Sequence, residues 1–382
     1  MKTLWYVARA DLSRTGNAEA IHSREDARGL SAYGFDVSLV SSSSSPVVSP
    51  PDLREIILTQ RKFPGERLFF ELKFVWFYLW AGKRPDFIFF RGPTNLLLIG
   101  LFLWFVGVPF GMELNGVMGY RYGEGGISSL LGRLADRFFM RRCKAIVSVT
   151  KELNQLAARE ACPGTVLAIS ANGVNTAQVR PCAVAAKDGR FALKLGYLGK
   201  CYQRRGHELA IGALAAMRRR GVEVGFKVVG GGPMVESLRE RARQAGVVDN
   251  VEFVDEVPPE KMSEVVADCD VMWAYFEEWT RFALTGMSPM KVWTYMAIGK
   301  PFILHDPVGV LEQFRNVGGV LWTEASTVEG VADFMASVVA MGAAALVVEG
   351  AKGREYVDQN GTWTIHARRI GEAIDQFFLR RG

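Results

Sequence analysis

The sequence predicts an α/β protein of two doubly wound, parallel-sheet domains, and three observations carry that prediction. Short continuous apolar runs recur at 3–8, 35–40, 86–90, 109–113, 144–149 and 165–169, then at 193–198, 225–229, 250–254, 270–274 and 301–304. Continuous rather than alternating runs are expected of strands buried on both faces. Amphipathic stretches such as 17–33, 127–141, 207–220 and 234–245 lie between them, the rhythm of strand–helix–strand units. The rhythm is interrupted at Thr176–Arg190, which carries Pro181 and Gly189. At about 150 residues per domain, 382 residues are then read as a first domain over 1–178 and a second over 179–362. A final helix at 363–380 has no strand after it.

Taken in order, the first strand runs into Asp11–Asn17, where Gly16 precedes a helix and permits close backbone approach to an anion. No G-x-G-x-x-G accompanies it, which argues against a dinucleotide site in the first domain. The run Ser41–Ser45, followed by Pro46, Pro50 and Pro51, is read as a flexible loop. Leu96–Phe110 is fifteen apolar residues ending near Pro109, short of the roughly 20 a bilayer span needs, and is read as a buried helix followed by a strand. Glu113 and Asn115 follow the strand at 109–113. In the second domain, strand 193–198 runs into Gly199-Lys200 and then Arg204-Arg205-Gly206, a set of cations suited to a diphosphate. Strand 225–229 runs into Gly230-Gly231-Gly232-Pro233, with Pro placed for a helix start. The stretch Gly286–Pro301 opens a helix behind a Gly/Ser/Pro loop and ends it at Gly299.

Composition narrows the class. Apolar residues at 49% and charged residues at 23% exclude disordered, collagenous and coiled-coil chains. Five cysteines without a C-x-x-C and only four histidines exclude a disulfide scaffold, argue against a zinc site and favour a reducing cytoplasm. The net charge of +6 lies wholly in residues 1–178, with 21 basic against 15 acidic residues. The basic residues form no nucleic-acid reading motif; an anionic membrane or acidic substrate fits such a one-sided charge. Residues 63–110 hold 15 of the 43 aromatics, among them Phe69, Phe70, Phe74, Trp76, Phe77, Tyr78 and Trp80. Basic residues flank them, and Arg133, Arg137 and Arg141 recur on one helix face. Aromatics with cations suit a helix at a lipid interface; the alternative is core aromatics with solvated cations.

Four stretches together resemble the GT-B glycosyltransferases, specifically the retaining family 4. Asn172-Gly-Val-Asn175 with Pro181 resembles the family's N-G-V-D signature at the domain junction. Leu198-Gly-Lys200 with Arg205-Gly206, Val229-Gly-Gly-Gly-Pro233 followed by Asn250–Asp255, and Lys291–Pro301 resemble three more of its motifs, in order, over roughly 165–305. The resemblance implies two Rossmann-like domains facing each other across a cleft, the first (1–178, with helix 363–382 crossing back) for the acceptor and the second for a nucleotide diphosphate sugar, UDP- or GDP-linked. Lys200 and Arg205 would hold the diphosphate, with Glu113 or Asn115 on the acceptor side. Gly16, Gly199, Gly231, Gly232, Asp255, Val257, Ser288, Pro289, Met290, Lys291 and Thr294 would line the donor site. No metal and no further cofactor are expected. The implied activity is retaining, metal-independent sugar transfer to a glycan or lipid-linked acceptor, in cell-surface polysaccharide or glycolipid synthesis, by a cytoplasmic enzyme peripheral on the inner face of the membrane, with no nucleic acid as partner.

One departure stands out. The family has two glutamates separated by seven residues around this helix, and the corresponding positions here are Gly286 and Thr294. Glu277 and Glu278 lie upstream as substitute carboxylates. The departure opens a second reading, a catalytically silent donor-binding or scaffolding subunit. A sugar-nucleotide epimerase would need acid–base residues that the sequence does not supply.

Overall fold

The computed structural model describes residues 1–13, 18–59, 65–92, 96–117, 127–181, 189–277, 284–306 and 308–380. The chain divides into two units, one of Met1–Asn172, Leu284–Ser288 and Trp363–Gly382, the other of Gly173–Ala283 and Pro289–Thr362.

The first unit carries strands β1 (Thr3–Asp11), β2 (Asp36–Ser42), β3 (Arg54–Thr59), β4 (Phe87–Arg91), β5 (Phe110–Leu114), β6 (Ala145–Ser148) and β7 (Val166–Ile169). They pair in parallel in the order β3-β2-β1-β4-β5-β6-β7. The helices are α1 (Ala18–Tyr33), α2 (Glu66–Trp80), α3 (Leu97–Val106), α4 (Ile127–Arg142) and α5 (Lys151–Glu160). The apolar strand runs are buried on both faces: Trp5, Val7, Ile88, Phe90 and Met112 pack on α2, α3 and α4, whereas Leu4, Tyr6, Phe87 and Phe89 pack toward α1 and the closing helix.

Two sequence expectations change here. Ser41 and Ser42 end β2, and the Ser41 hydroxyl donates to the carbonyls of Ala8 (2.6 Å) and Ala10 (2.8 Å), where β1 loses its regular register. Ser44 is held to Asp11 through its amide and hydroxyl. The serine run is therefore a hydrogen-bonded seam, not a free loop. The helix expected to be buried within Leu96–Phe110 is buried on one side only, through Ile99, Gly100 and Leu103; Leu101, Trp104, Phe105 and Val106 face outward. Its N-terminus is capped from α2, where the Glu71 carboxylate accepts from the amides of Leu98 (2.7 Å) and Ile99 (3.2 Å), an acid at the positive end of a helix.

The second unit has β8 (Leu193–Leu198), β9 (Val224–Val229), β10 (Val251–Val254), β11 (Val271–Ala274), β12 (Phe302–His305) and β13 (Val320–Thr323), all parallel in the order β10-β9-β8-β11-β12-β13. Its helices are α6 (His207–Arg219), α7 (Val235–Gln244), the single turn α8 (Met262–Val265), α9 (Met290–Ile298) and α10 (Val328–Asn360). By length and composition α10 could cross a membrane, but its backbone turns at Gly342 (φ 76°, ψ 159°), and Val331, Ala332, Met335, Val338 and Leu346 join the core of this unit. The last helix, α11 (Trp363–Leu379), belongs to the first unit and packs Ala367, Ile370 and Ile374 beside α1.

Both sheets reverse direction of winding beside their first strand. In such sheets ligands bind beyond the carboxyl ends of the strands at that reversal, which in the second unit means the loops after β8 and β11.

Candidate functional site

The loops after β8 and β9 are laced together. The Gly199 amide donates to Val229 O (3.0 Å), Cys201 N to Gly231 O (2.9 Å) and Met234 N to Cys201 O (3.2 Å). Gly232 has φ +145°, and a Cβ there would lie 2.6 Å from Cys201 O, so only glycine fits. The loop after β8 then climbs through Arg204, at φ +61°, to Gly206, which starts α6 without a side-chain cap. The first-turn amides of α6 thus keep their capacity to receive an anion. The start of α9 is alike: Pro289 precedes it and supplies no cap.

Lys291, in the first turn of α9, donates to the Tyr197 hydroxyl (2.8 Å) and lies 4.0 Å from the centre of that ring. The Tyr197 hydroxyl donates in turn to Lys200 O (2.9 Å). Arg205 stands over Phe276 at 5.4 Å, and Lys291 is 5.7 Å from the same ring. Among the described residues no carboxylate pairs with Lys291 or Arg205. Burial, and then the charge of Arg205, push the Lys291 pKa down to about 7. Burial, Lys291 and Arg205 push buried His207 down to about 3, so it stays neutral. Two cations crowd over aromatic rings, and neither has an ion-pair partner among the described residues; Glu277 feels the charge of Arg205 and takes the Gly206 amide at the start of α6. Such a cluster suits an anion.

Two other positions of the α9 segment, Tyr295 and Lys300, hold the frame. The Tyr295 hydroxyl accepts from Leu198 N (3.2 Å) and donates to Trp273 O (3.2 Å), fixing α9 beneath the ends of β8 and β11. Lys300 is buried, with its ammonium donating to Cys269 O (2.6 Å) and Ala267 O (3.0 Å).

The expected residues fall into three groups. Gly199, Lys200, Arg205, Gly231, Gly232, Met290 and Lys291 come together around the ends of β8, β9 and the start of α9. Lys200 is exposed and Arg205 half-buried. Asp255, exposed, and Val257, half-buried, follow β10, the edge strand. Ser288 is buried in the first unit, where its hydroxyl accepts from Asn172 N (3.0 Å) and its carbonyl from Asn172 Nδ2 (2.6 Å). Gly16 and Glu278 lie outside the described residues.

One position needs correction. Glu113 was expected on the acceptor side, but it is fully buried and presents no atom to an acceptor. Burial pushes its carboxyl up, and the neighbouring His22 and His366 outweigh that and hold it well below the usual carboxylate range. Asn115 is engaged with it, donating from Nδ2 to Glu113 Oε1 (2.8 Å). Thr294 spends its hydroxyl proton on Met290 O (3.2 Å) within its own helix. Gly286, at φ +62°, stands in the left-handed region, where any side chain is strained, and a Cβ there would have to displace the end of the Glu152 side chain. Glu277 is exposed beside a cavity of about 500 Å³ that Glu208, Tyr275, His305 and Ser326 also line. Burial and the charge of Glu208 raise its pKa. Sequence reasoning missed Tyr197, Phe276 and His207, because strand ends and a helix start look alike whether or not they face a ligand.

Residues 192–362 match the family described as glycosyl transferases group 1. Over 212 residues the chain is 28% identical to a GDP-mannose-dependent alpha-(1-6)-phosphatidylinositol monomannoside mannosyltransferase of Mycobacterium tuberculosis, an alignment covering 53% of this chain and 54% of that one. The chain thus spans about half the length of the curated relatives it matches. Among solved structures, sucrose-phosphate synthase from Thermosynechococcus elongatus superposes with TM-score 0.74 at 16% identity, covering 99% of this chain and 100% of that one. Anabaena HepE in complex with UDP and glucose superposes at 0.71 and 12% identity, covering 98% and 100%. The protein has the GT-B fold, and residues 192–362 match the family of glycosyl transferases group 1.

Proposed function

We propose that the protein is a glycosyltransferase that takes its sugar from a nucleoside diphosphate sugar and delivers it to a lipid-linked acceptor. The observation that carries this reading is the close pair Lys291 and Arg205, set between the starts of α6 and α9 and over the Phe276 ring. When the anomeric bond breaks, negative charge gathers on the diphosphate. Fixed cations and helix amides stabilise that charge where it develops. Lys200, Arg205 and Lys291 supply the positive charge, so transfer proceeds without a metal at the donor. In the retaining course that the family resemblance implies, the acceptor oxygen bonds to the anomeric carbon on the face the phosphate leaves, and a phosphate oxygen takes its proton. GDP and UDP are the leading donor nucleotides, since the mycobacterial relative is named for GDP-mannose and HepE was solved with UDP.

The acceptor class rests on the outer face of the first unit. On α2, Phe70, Phe74 and Tyr78 point to the core, while Leu68, Phe69, Leu72, Trp76, Leu79 and Trp80 are exposed, Trp80 by 76%. Trp104 and Phe105 of α3 and Leu130 and Leu134 of α4 are exposed as well. Cations border these residues: Lys73 lies over Phe69 (4.7 Å) and Arg142 over Trp104 (4.6 Å). Contiguous exposed apolar surface on a globular unit marks an interaction site, and aromatics rimmed by Lys and Arg match an anionic lipid surface. A phosphatidylinositol glycoside, the substrate named for the mycobacterial relative, would be presented there.

A silent donor-binding subunit remains the second reading, favoured by Gly286 and by the internal bond of Thr294. A thermal-shift panel of GDP, UDP, ADP, CMP and dTDP with EDTA present tests the donor site. The expected result is a shift with GDP or UDP that is lost in Arg205→Ala; no shift with any nucleotide would refute the reading.

A further inference from the structure

Two helices and a strand of the first unit converge on four buried ionisable side chains. His22 and Asp26 stand one helical turn apart on α1, Glu113 lies on β5, and His366 comes from α11; none is more than 1% exposed. One candidate ligand atom from each lies within 4.8 Å of all the others. His22 Nε2 is 3.1 Å from Asp26 Oδ2 and 3.0 Å from Glu113 Oε1. His366 Nε2 is 3.7 Å from Asp26 Oδ1 and 3.6 Å from Glu113 Oε1. Ligand bonds of about 2.0–2.1 Å in a tetrahedral site place ligand atoms about 3.3–3.4 Å apart, the middle of this range.

Ion pairs alone give such distances too, and the charges of Asp26 and Glu113 raise the pKa of His366. His22 Nε2, His366 Nε2 and Asp26 Oδ1 are all buried, and none has a well-aligned hydrogen bond. Such orphaned groups are rare in folded proteins and call for an explanation. The tautomer of His366 sharpens the point. Its Nδ1 lies 2.9 Å from Ala171 O, which can only accept, and 2.8 Å from Ser170 Oγ. Nδ1 therefore carries a proton, and Nε2 is turned toward two carboxylates. An imidazole whose far nitrogen donates to a backbone carbonyl is the usual arrangement of a metal-bound histidine. The carboxylates are oriented in the same way: Tyr6 Oη donates to Asp26 Oδ2 (2.6 Å), and Asn115 Nδ2 to Glu113 Oε1 (2.8 Å). Two neutral imidazoles and two carboxylates carry a charge that one divalent ion neutralises.

We propose that His22, Asp26, Glu113 and His366 form a closed four-ligand site for a divalent transition-metal ion of the zinc type, which ties α11 to α1 and β5. The set of two nitrogens and two oxygens suits zinc, with cobalt(II) as its spectroscopic substitute. All four positions are filled by protein and fully buried, so the ion is structural. The site is separate from the donor loops of the second unit and does not depend on the function proposed for them. It also reverses the expectation from histidine scarcity: two of only four histidines meet here, from positions 344 residues apart.

The test uses the full-length chain without a histidine tag. Metal content is measured by elemental analysis as purified, after dialysis against EDTA, and after return of Zn2+ or Co2+. The expected result is one equivalent bound, tetrahedral Co2+ absorption bands in the visible, and a thermal midpoint that falls by several degrees on chelation and recovers with zinc. His22→Gln and Glu113→Gln should each bind less than a tenth of an equivalent while a near-native circular dichroism spectrum shows that they fold. If the wild-type chain binds no metal and neither EDTA nor zinc moves its midpoint, protons or water complete the cluster and the proposal fails. An equivalent that persists in both variants would place the ion elsewhere and also overturn it.

Discussion

Lys291 links nucleotide affinity to pH, and its surroundings set the size of the link. In the free protein its pKa stands at about 7, lowered by burial and by Arg205. A diphosphate beside it returns the pKa toward the ordinary lysine value near 10.4. Between those values binding takes up a proton, so affinity falls as pH rises. The protonated fraction of the free site drops from about a quarter at pH 7.5 to about one hundredth at pH 9, so the dissociation constant rises about 20-fold, roughly 1.9 kcal/mol. Stability of the free protein runs the other way. A base whose folded pKa is depressed is charged at a cost below pH 7, and the unfolded chain binds more protons from pH 7 to 10, so stability rises across that window. The assay is calorimetric titration of GDP or UDP at pH 7.5, 8.2 and 9.0 in buffers of different ionisation enthalpy. Near pH 8.5 about one proton should be taken up per nucleotide, and Lys291→Met should bind more weakly at pH 7.5 with a flat profile. A wild-type affinity unchanged from pH 7.5 to 9, or a pH profile retained by Lys291→Met, would refute the reasoning.

Three further outcomes are expected. Trp76→Ser with Trp80→Ser should lower binding to anionic liposomes at least tenfold in a flotation assay while leaving the thermal midpoint within a degree or two, because both rings are exposed. Gly232→Ala should destabilise the second unit by about 1–3 kcal/mol in denaturant titration, since it meets both a positive φ and the Cys201 backbone. Gly286→Glu should not improve nucleotide binding, because the backbone there is left-handed and its side chain would have to displace the end of Glu152; a gain in affinity measured by calorimetry would show that Glu152 gives way.

The parts of the fold that the sequence discloses are those buried on both sides. Eleven apolar runs read as strands correspond to strands, ten of them within a residue or two and the first ending three residues short of β1. The two strands that were missed are edges. β3 (REIILT) is charged at its start and half exposed, behind two prolines, and β13 (VLWT) is four residues long and largely half-buried. Neither bears the continuous apolar signature of a buried strand. On α2 the aromatics were visible but not their division, since a helix apolar all round does not reveal which face meets the core. In the second domain the glycines and cations of the donor loops were legible from motif spacing. Lys291 appeared only as one member of a loop, because its lowered pKa depends on burial and on Arg205, some 90 residues away. The buried histidine–carboxylate cluster left a single local trace, the four-residue spacing of His22 and Asp26. Glu113 and His366 reach it only through the sheet order and the return of α11, and that is why Glu113 looked like an acceptor contact.

The central claim is that the clustered cations of the second domain hold a sugar donor for transfer to lipid. The most direct measurement is mass spectrometry of products after incubation with GDP- or UDP-sugars, EDTA and anionic liposomes containing phosphatidylinositol glycosides. A glycolipid heavier by one sugar residue, absent with Arg205→Ala, is the predicted result. A donor that binds but is never consumed, with any of these acceptors, would contradict the account and leave a nucleotide-sugar-binding subunit in its place.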